Sequence, residues 1–192
     1  MSTQLLQARS GKITDAMVVA AKKEDIEPIV LRDLIAKGEV VILKNQYRSI
    51  DGLAVGTSLK TKVNANIGSS MDDVSLVNEL EKMHVAIKAG ADAIMDLSTG
   101  GDIPAIRKVI LRESPIPIGT VPIYEAASNL IKEKKHLVEL TGDSLFSAIE
   151  NHAKDGVDFV TVHCGITLET VERQKKDSRL LDIVSRGGAI HA

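Results

Sequence analysis

From residue 59 onward, short apolar runs alternate with longer segments in which apolar residues recur at helical spacing. Short apolar runs of this kind are typical of parallel strands that helices cover on both faces. The clearest run, 91–97, leads into the polar, glycine-rich loop 98–101, and Asp102 then opens a helix. Strand, polar loop and helix together form the unit that places ligand groups at the carboxyl edge of a parallel sheet. A simpler interpretation is that Asp102 only caps the helix.

The same rhythm recurs along the chain and predicts a parallel sheet with right-handed crossovers. The expected strands are 60–66, 91–97, 116–122, 157–163 and 180–184, and the expected helices are 72–89, 103–112, 123–134, 144–154 and 167–175. A closed (β/α)₈ barrel needs eight strands and typically ~250 residues. We therefore predict an α/β fold, a parallel (β/α) barrel of TIM type that is incomplete, with about five of its eight strands. An open sheet is the alternative.

Residues 1–58 form a different, small α+β region by their pattern. Helices are predicted over 16–23 and 28–38, a strand over 40–43, and loop and turns over 44–57. The predicted organisation is an N-terminal region, 1–58, followed by a partial barrel, 59–192, which forms the substrate-binding half.

Composition narrows the class of protein. Hydrophobic residues make up 44% and charged residues 26% of the chain, as in soluble globular proteins. A formal net charge of -2 and the lack of a basic stripe argue against nucleic acid as a partner. No signal peptide or membrane-spanning run is present in the sequence. The single cysteine, Cys164, excludes an intramolecular disulfide and fits a cytoplasmic protein.

Polar or functional residues stand where each predicted strand ends. They are Asn64, Asn66, Met95, Asp96, Thr120, Tyr124, His163, Cys164, Ser185 and Arg186. In a barrel such residues converge on one mouth. Asn66 offers an amide that donates and accepts hydrogen bonds, which suits the edge of a heterocycle. The run 185–188 combines a hydroxyl, a guanidinium and bare amides, which suits an anion.

Each of these residues also has a structural interpretation. Met95 is a candidate core residue, Asp96 a candidate anchor for backbone amides, and His163 a candidate core histidine. We interpret Cys164 as an inert buried thiol, and His84, His136 and His152 as surface or packing residues. The run 185–188 could equally form a tight turn. The sequence has no metal-ligand spacing, P-loop or dinucleotide fingerprint. The residues alone thus indicate a mouth for a small anionic ligand, and they define no reaction.

Five segments together resemble the phosphomethylpyrimidine synthase (ThiC) family. They are 62–68, 95–100, 117–124, the strand ending at His163, and 183–188, and the start of the chain, 3–14, is similar too. The resemblance implies a barrel that binds aminoimidazole ribotide. It also implies an enzyme of the radical S-adenosylmethionine class, a carbon-carbon lyase, that converts this ribotide to hydroxymethylpyrimidine phosphate in thiamine biosynthesis. A close branch of the family makes 5-hydroxybenzimidazole, for the lower base of cobamides, from the same substrate.

Substrate contacts carried over from the family's motifs are Asn66, Met95, Tyr124, His163, Ser185, Arg186 and Gly187. The cofactors implied by the resemblance are S-adenosylmethionine, a [4Fe-4S] cluster and a divalent metal, zinc. In the family the ligands of the cluster and the metal lie downstream of the segments matched here, and one cysteine cannot replace a three-cysteine motif. The segment 41–47 also departs from the family pattern.

Two hypotheses follow from this resemblance. In the first, the chain is the N-terminal half of a synthase, inactive alone and active only with the missing half supplied by a longer gene product or another chain; a homodimer or a complementing C-terminal half is the expected partner. In the second, it is a catalytically inactive, truncated module that binds the ribotide. Because an incomplete barrel exposes two sheet edges, we expect it to associate or aggregate unless a partner covers them.

Overall fold

A computed structural model describes residues 3–177, 180–181 and 183–191. The described chain is a mixed α/β structure with one two-stranded antiparallel sheet and one four-stranded parallel sheet. Its strands are β1 (Val40–Leu43), β2 (Leu53–Gly56), β3 (Asn64–Ile67), β4 (Ala93–Asp96), β5 (Ile118–Thr120) and β6 (Phe159–Val160). Its helices are α1 (Gln4–Arg9), α2 (Asp15–Glu24), α3 (Pro28–Lys37), α4 (Leu76–Lys88), α5 (Ile103–Glu113), α6 (Pro122–Lys132), α7 (Gly142–Asp155), α8 (Leu168–Lys176) and α9 (Arg186–His191), with a 3₁₀ turn at Leu137–Glu139.

The N-terminal region follows the sequence pattern closely. Thr14 caps α2 by accepting a hydrogen bond from the Met17 amide, and Pro28 opens α3. Helices α1 to α3 pack on the β1–β2 hairpin around their own core, which includes Met17, Leu31 and Val40. The predicted loop over 44–57 was wrong in part, because Leu53–Gly56 pairs with β1 as a second strand.

The four parallel strands lie in sequential order, β3-β4-β5-β6. A helix lies between each strand and the next, as expected for right-handed crossover units. Sequential order is also the order of strands in a (β/α) barrel, but the described sheet is open and does not close on itself. The parallel α/β architecture is therefore confirmed, whereas the incomplete barrel stays a prediction, as does the boundary between residues 58 and 59.

The two faces of the parallel sheet are chemically different. Ile94 and Ile118 point to the helices and form the main core with residues such as Met83 and Ile110. Met95 points to the opposite face, because successive strand residues alternate between faces. There Met95 belongs to a second, smaller apolar cluster. Helices therefore pack on one face of the described sheet, and the other face stays available for a site.

The N-terminal region closes the amino edge of this sheet. The Asn45 side chain donates hydrogen bonds to the backbone carbonyls of Ala153 and Val157, each 2.8 Å long. Arg48 forms a buried ion pair with Asp158 and donates to the Ser114 carbonyl at 2.5 Å. Because these contacts occupy the amino edge, the loops at the carboxyl edge are the ones that remain accessible.

Three further expectations differ from the structure. The helix expected over 72–89 begins later than predicted, because Ser75 caps α4 with its hydroxyl accepting from the Asn78 amide. The expected fifth strand, 180–184, does not form at residues 180, 181, 183 and 184, and Asp182 lies outside the described residues. The glycine-rich run that follows this segment is the helix α9 instead of a loop.

In the described part of the chain, no helix combines the length and apolar character needed to cross a membrane.

Candidate functional site

The two loops that follow β3 and β4 at the carboxyl edge are joined by hydrogen bonds into one platform. The buried Asp96 carboxylate accepts hydrogen bonds from the backbone amide and the hydroxyl of Ser98, at 3.0 and 2.5 Å. The Ser98 hydroxyl accepts from the Ser69 amide at 3.1 Å, and the Ser69 hydroxyl donates to the Gly100 carbonyl at 2.8 Å. Burial raises the pKa of Asp96, and the bonds from Ser98 act against that rise. The anchoring role predicted for Asp96 is thus what its contacts show.

Asn66 and Met95 lie side by side on the face of the sheet away from the helices. They are partners in the parallel register of β3 and β4. Paired residues in neighbouring parallel strands point to the same face of the sheet. Asn66 is exposed, so its amide is accessible, whereas Met95 is only 8% exposed. The pair therefore offers a polar edge next to an apolar floor.

His163 and Ser185 meet across the carboxyl edge, although 22 residues separate them in sequence. His163 Nε2 lies 3.1 Å from Ser185 Oγ. Ser185 Oγ also accepts a hydrogen bond from the Gly188 amide at 3.1 Å. Gly187 packs on the imidazole so closely that a Cβ there would lie 2.0 Å from His163 Cε1. The absence of a side chain at Gly187 is therefore what allows α9 to approach the end of β6.

Arg186 extends from α9 to the other side of this edge. Its Nη1 donates to Thr99 Oγ1 at 3.3 Å, in the loop after β4. Its guanidinium carbon lies 5.8 Å from the centre of the Tyr124 ring, within the range of a cation–π contact. Arg186 and Tyr124 line a cleft of about 870 Å³ between the platform loops, α6 and α9. An exposed guanidinium held in this way can pair with an anion in the cleft.

The strand-end residues divide into two groups, apart from Cys164 and from Asn64, which begins β3 instead of ending it. The first group gathers around the carboxyl edge with Asn66 beside it and consists of Met95, Tyr124, His163, Ser185, Arg186 and Gly187. Asp96 and Thr120 lie on the helix-facing side of their strands, where Asp96 accepts from Ser98 in the loop after β4 and Thr120 contacts His152 of α7. The interpretation of Cys164 as a buried thiol was wrong, since this residue is exposed.

A buried polar cluster contains Glu125, the residue after Tyr124 in α6, and sequence reasoning did not find it. Arg107 forms an ion pair with Glu125 and donates two hydrogen bonds to Asp155 Oδ2, at 3.0 and 2.6 Å. His152 is 2% exposed. Its Nε2 lies 2.9 Å from Glu125 Oε2, and its Nδ1 lies 2.7 Å from Thr120 Oγ1. The predicted packing role of His152 is consistent with this burial.

The charge state of this cluster follows from its contacts. Burial would raise the pKa of Glu125, but hydrogen bonds from His152 and Arg107 outweigh it and lower the pKa to about 2. Glu125 is therefore ionised at neutral pH. The only sequence signal was the position of Glu125 next to Tyr124. Arg107, His152 and Asp155 lie on other helices, so no local spacing links them to Glu125.

The cofactor ligands that the resemblance implies do not match this chain. Cys164 is the only cysteine in the sequence, whereas the cluster motif needs three. Within the described residues, no group of three or more His, Cys, Asp and Glu side chains is arranged to hold a metal ion. The residues present therefore do not fit the iron–sulfur cluster or the zinc ion.

Comparisons with known proteins agree with the motifs. The chain is 50% identical to a phosphomethylpyrimidine synthase of Syntrophus aciditrophicus over 99% of its own length and 45% of that protein. It is 49% identical to the enzyme of that name from Pyrococcus abyssi, over 99% of this chain and 44% of the relative. For the Methanocaldococcus jannaschii synthase the identity is 51%, over 97% and 44%.

The chain thus spans less than half the length of these relatives and corresponds to their N-terminal part. The family model that matches is described as the radical SAM ThiC family, and the match covers residues 3–192. A match of this extent means that the chain belongs to the radical SAM ThiC family, whose similar members are named phosphomethylpyrimidine synthase.

Proposed function

We propose that this chain is the substrate-binding half of a phosphomethylpyrimidine synthase and that it binds aminoimidazole ribotide at the carboxyl edge of its parallel sheet. The single observation that carries the proposal is the meeting of residues from five segments at that edge. Asn66 lies in β3, Met95 in β4, Tyr124 in α6, His163 shortly after β6, and Arg186 in α9. The sequential strand order supports a barrel half as the frame of this site.

The chemistry of these residues suits the two ends of a ribotide. The exposed Asn66 amide can donate to and accept from the polar edge of an aminoimidazole ring. Arg186, held by Thr99 and Tyr124, can pair with the phosphate, and the Ser185 hydroxyl stands beside it. Met95 provides an apolar floor between these two ends.

The role proposed for the chain is binding and orientation. The radical chemistry of the family is assigned to the missing half, supplied by a longer gene product or by another chain. Because the described residues of this chain do not fit the cluster or the zinc ion, its own proposed part is confined to the substrate.

Titration calorimetry of this chain with aminoimidazole ribotide tests the proposal. We expect measurable binding, and Asn66→Ala should weaken it roughly tenfold, which is the effect of losing one hydrogen bond to a ligand. Asn151→Ala is a matched control, because Asn151 is an exposed residue of α7 away from the carboxyl edge. Absence of binding to the parent chain, or equal affinity of the parent and Asn66→Ala proteins, would overturn the proposal.

A further inference from the structure

One row of residues crosses the face of the sheet that points away from the helices. The strand registers pair Asn66 with Met95, Met95 with Gly119, and Gly119 with Phe159. The residues before the first three in their strands, Ala65, Ile94 and Ile118, pack in the helix-facing core, which fixes the row on the opposite face. Phe159 therefore shares the face and the level of two proposed substrate contacts.

The Phe159 ring fills the space that Gly119 leaves empty. A Cβ at Gly119 would lie 2.3 Å from both Cε2 and Cζ of the ring. The ring therefore leans from β6 across β5 toward Met95, and it packs with the apolar cluster that contains Met95 and Tyr124. Phe159 itself is only partly buried. A ring in this position keeps surface that a ligand above Met95 can contact.

The spacing of the strands sets the width of the space above Met95. Neighbouring strands lie about 4.8 Å apart, so Asn66 and a ring above β5 are separated by about two such steps, roughly 10 Å. A planar heterocycle fits between an amide on one side and an aromatic ring on the other. Aromatic rings attract such heterocycles by offset stacking or by edge-to-face contact.

We infer that Phe159 is a further substrate-contacting residue of this chain, whose ring forms the aromatic wall of the site for the heterocycle of the bound ribotide. The inference rests on the proposed function and adds to it a contact for the aminoimidazole ring itself. Gly119 has a supporting role, because only its lack of a side chain lets the ring reach this position.

The test compares two ligands on the same chain, and the variant is Phe159→Leu. Leucine keeps an apolar side chain in the cluster but removes the ring. The probes are aminoimidazole ribotide and ribose 5-phosphate, which has the sugar phosphate without the heterocycle. We expect Phe159→Leu to weaken ribotide binding roughly three- to tenfold and to leave ribose 5-phosphate binding within about twofold of the parent. A purely structural role would not distinguish the two ligands.

The possible outcomes are distinct. Equal weakening of both ligands, or unchanged ribotide affinity, overturns the role of Phe159. If the parent chain binds the ribotide and Asn66→Ala weakens binding, the proposed function stands whatever Phe159→Leu does. Phe159→Tyr guards against a variant that folds poorly, since it keeps the ring and should bind the ribotide within about threefold of the parent. A larger loss in Phe159→Tyr than in Phe159→Leu would also contradict an aromatic wall.

Discussion

Replacing Glu125 by glutamine should reveal how much the buried cluster of Arg107, Glu125 and His152 stabilises this half of the fold. Glu125 is 5% exposed and contacts both Arg107 and His152. Glutamine has nearly the same size, so Glu125→Gln removes the negative charge without opening a cavity. Asp155 remains in contact with Arg107 in the variant, and the guanidinium therefore keeps one anionic partner.

The size of the effect follows from the pKa of Glu125. The pKa is lowered from 4.5 to about 2 in the folded chain, against burial, by His152 and Arg107. One pKa unit is 1.36 kcal/mol, so the ionised carboxylate contributes about 3 kcal/mol to the free energy of unfolding at neutral pH. Because the folded-state pKa is depressed, this contribution is complete above pH 4.5 and declines as the pH falls toward 2. At pH 3 it should be less than half as large.

Urea unfolding of the parent and Glu125→Gln proteins, followed by circular dichroism at pH 7 and pH 3, measures this difference. The stability gap between them should be about 2 kcal/mol smaller at pH 3 than at pH 7. Glu113→Gln is the matched control, since Glu113 is exposed at the end of α5. It should change stability by less than about 0.5 kcal/mol at either pH. A gap that is independent of pH, or that grows as the pH falls, would refute the reasoning.

Two further substitutions test other contacts. Arg48→Ala leaves the fully buried Asp158 carboxylate without its cation and should lower the free energy of unfolding by about 3–5 kcal/mol in urea titrations. A loss of unfolding free energy below about 1 kcal/mol would show that the amino edge tolerates Asp158 without its ion pair. Gly187→Ala places a Cβ 2.0 Å from His163 Cε1 and must displace α9 or the imidazole. We expect at least a roughly tenfold loss of ribotide affinity by calorimetry, and unchanged affinity would contradict the arrangement of α9.

Local signals in the sequence were enough to predict most of the fold. Thr14, Asp102 and Thr167 each cap the helix expected to follow them, since a side-chain oxygen three residues ahead of a backbone amide is a local property. The strands predicted for the parallel sheet were longer than the observed ones, whereas the strand predicted over 40–43 matches β1. β6 has only two residues, whereas a strand over 157–163 was expected. The pattern of apolar residues does not show where the hydrogen bonds between strands stop.

Contacts between distant segments could not be predicted from local pattern. The sequence of the run 185–188 suited a turn and an anion-binding loop equally well. Only the contacts of Ser185 and Gly187 with His163 explain its position in the structure. The partners of Arg107 are on two other helices, so no spacing in the sequence indicated their burial. The exposure of Cys164 was missed because an apolar run before a cysteine usually continues into the core, whereas β6 ends at Val160.

Three glycines near the carboxyl edge differ in whether a second substitution could make room for a side chain at their position. A Cβ at Gly68 would lie 2.6 Å from the Leu97 carbonyl carbon, and one at Gly100 would lie 2.1 Å from the Ser70 carbonyl oxygen. These obstacles are backbone atoms, so no second substitution elsewhere can make room. At Gly119 the obstacle is the Phe159 ring, which a smaller side chain would remove. Substitutions on this face therefore have an order: the side chain at position 159 must become smaller before position 119 can accept a side chain. Gly68 and Gly100 accept no side chain whatever the rest of the sequence is.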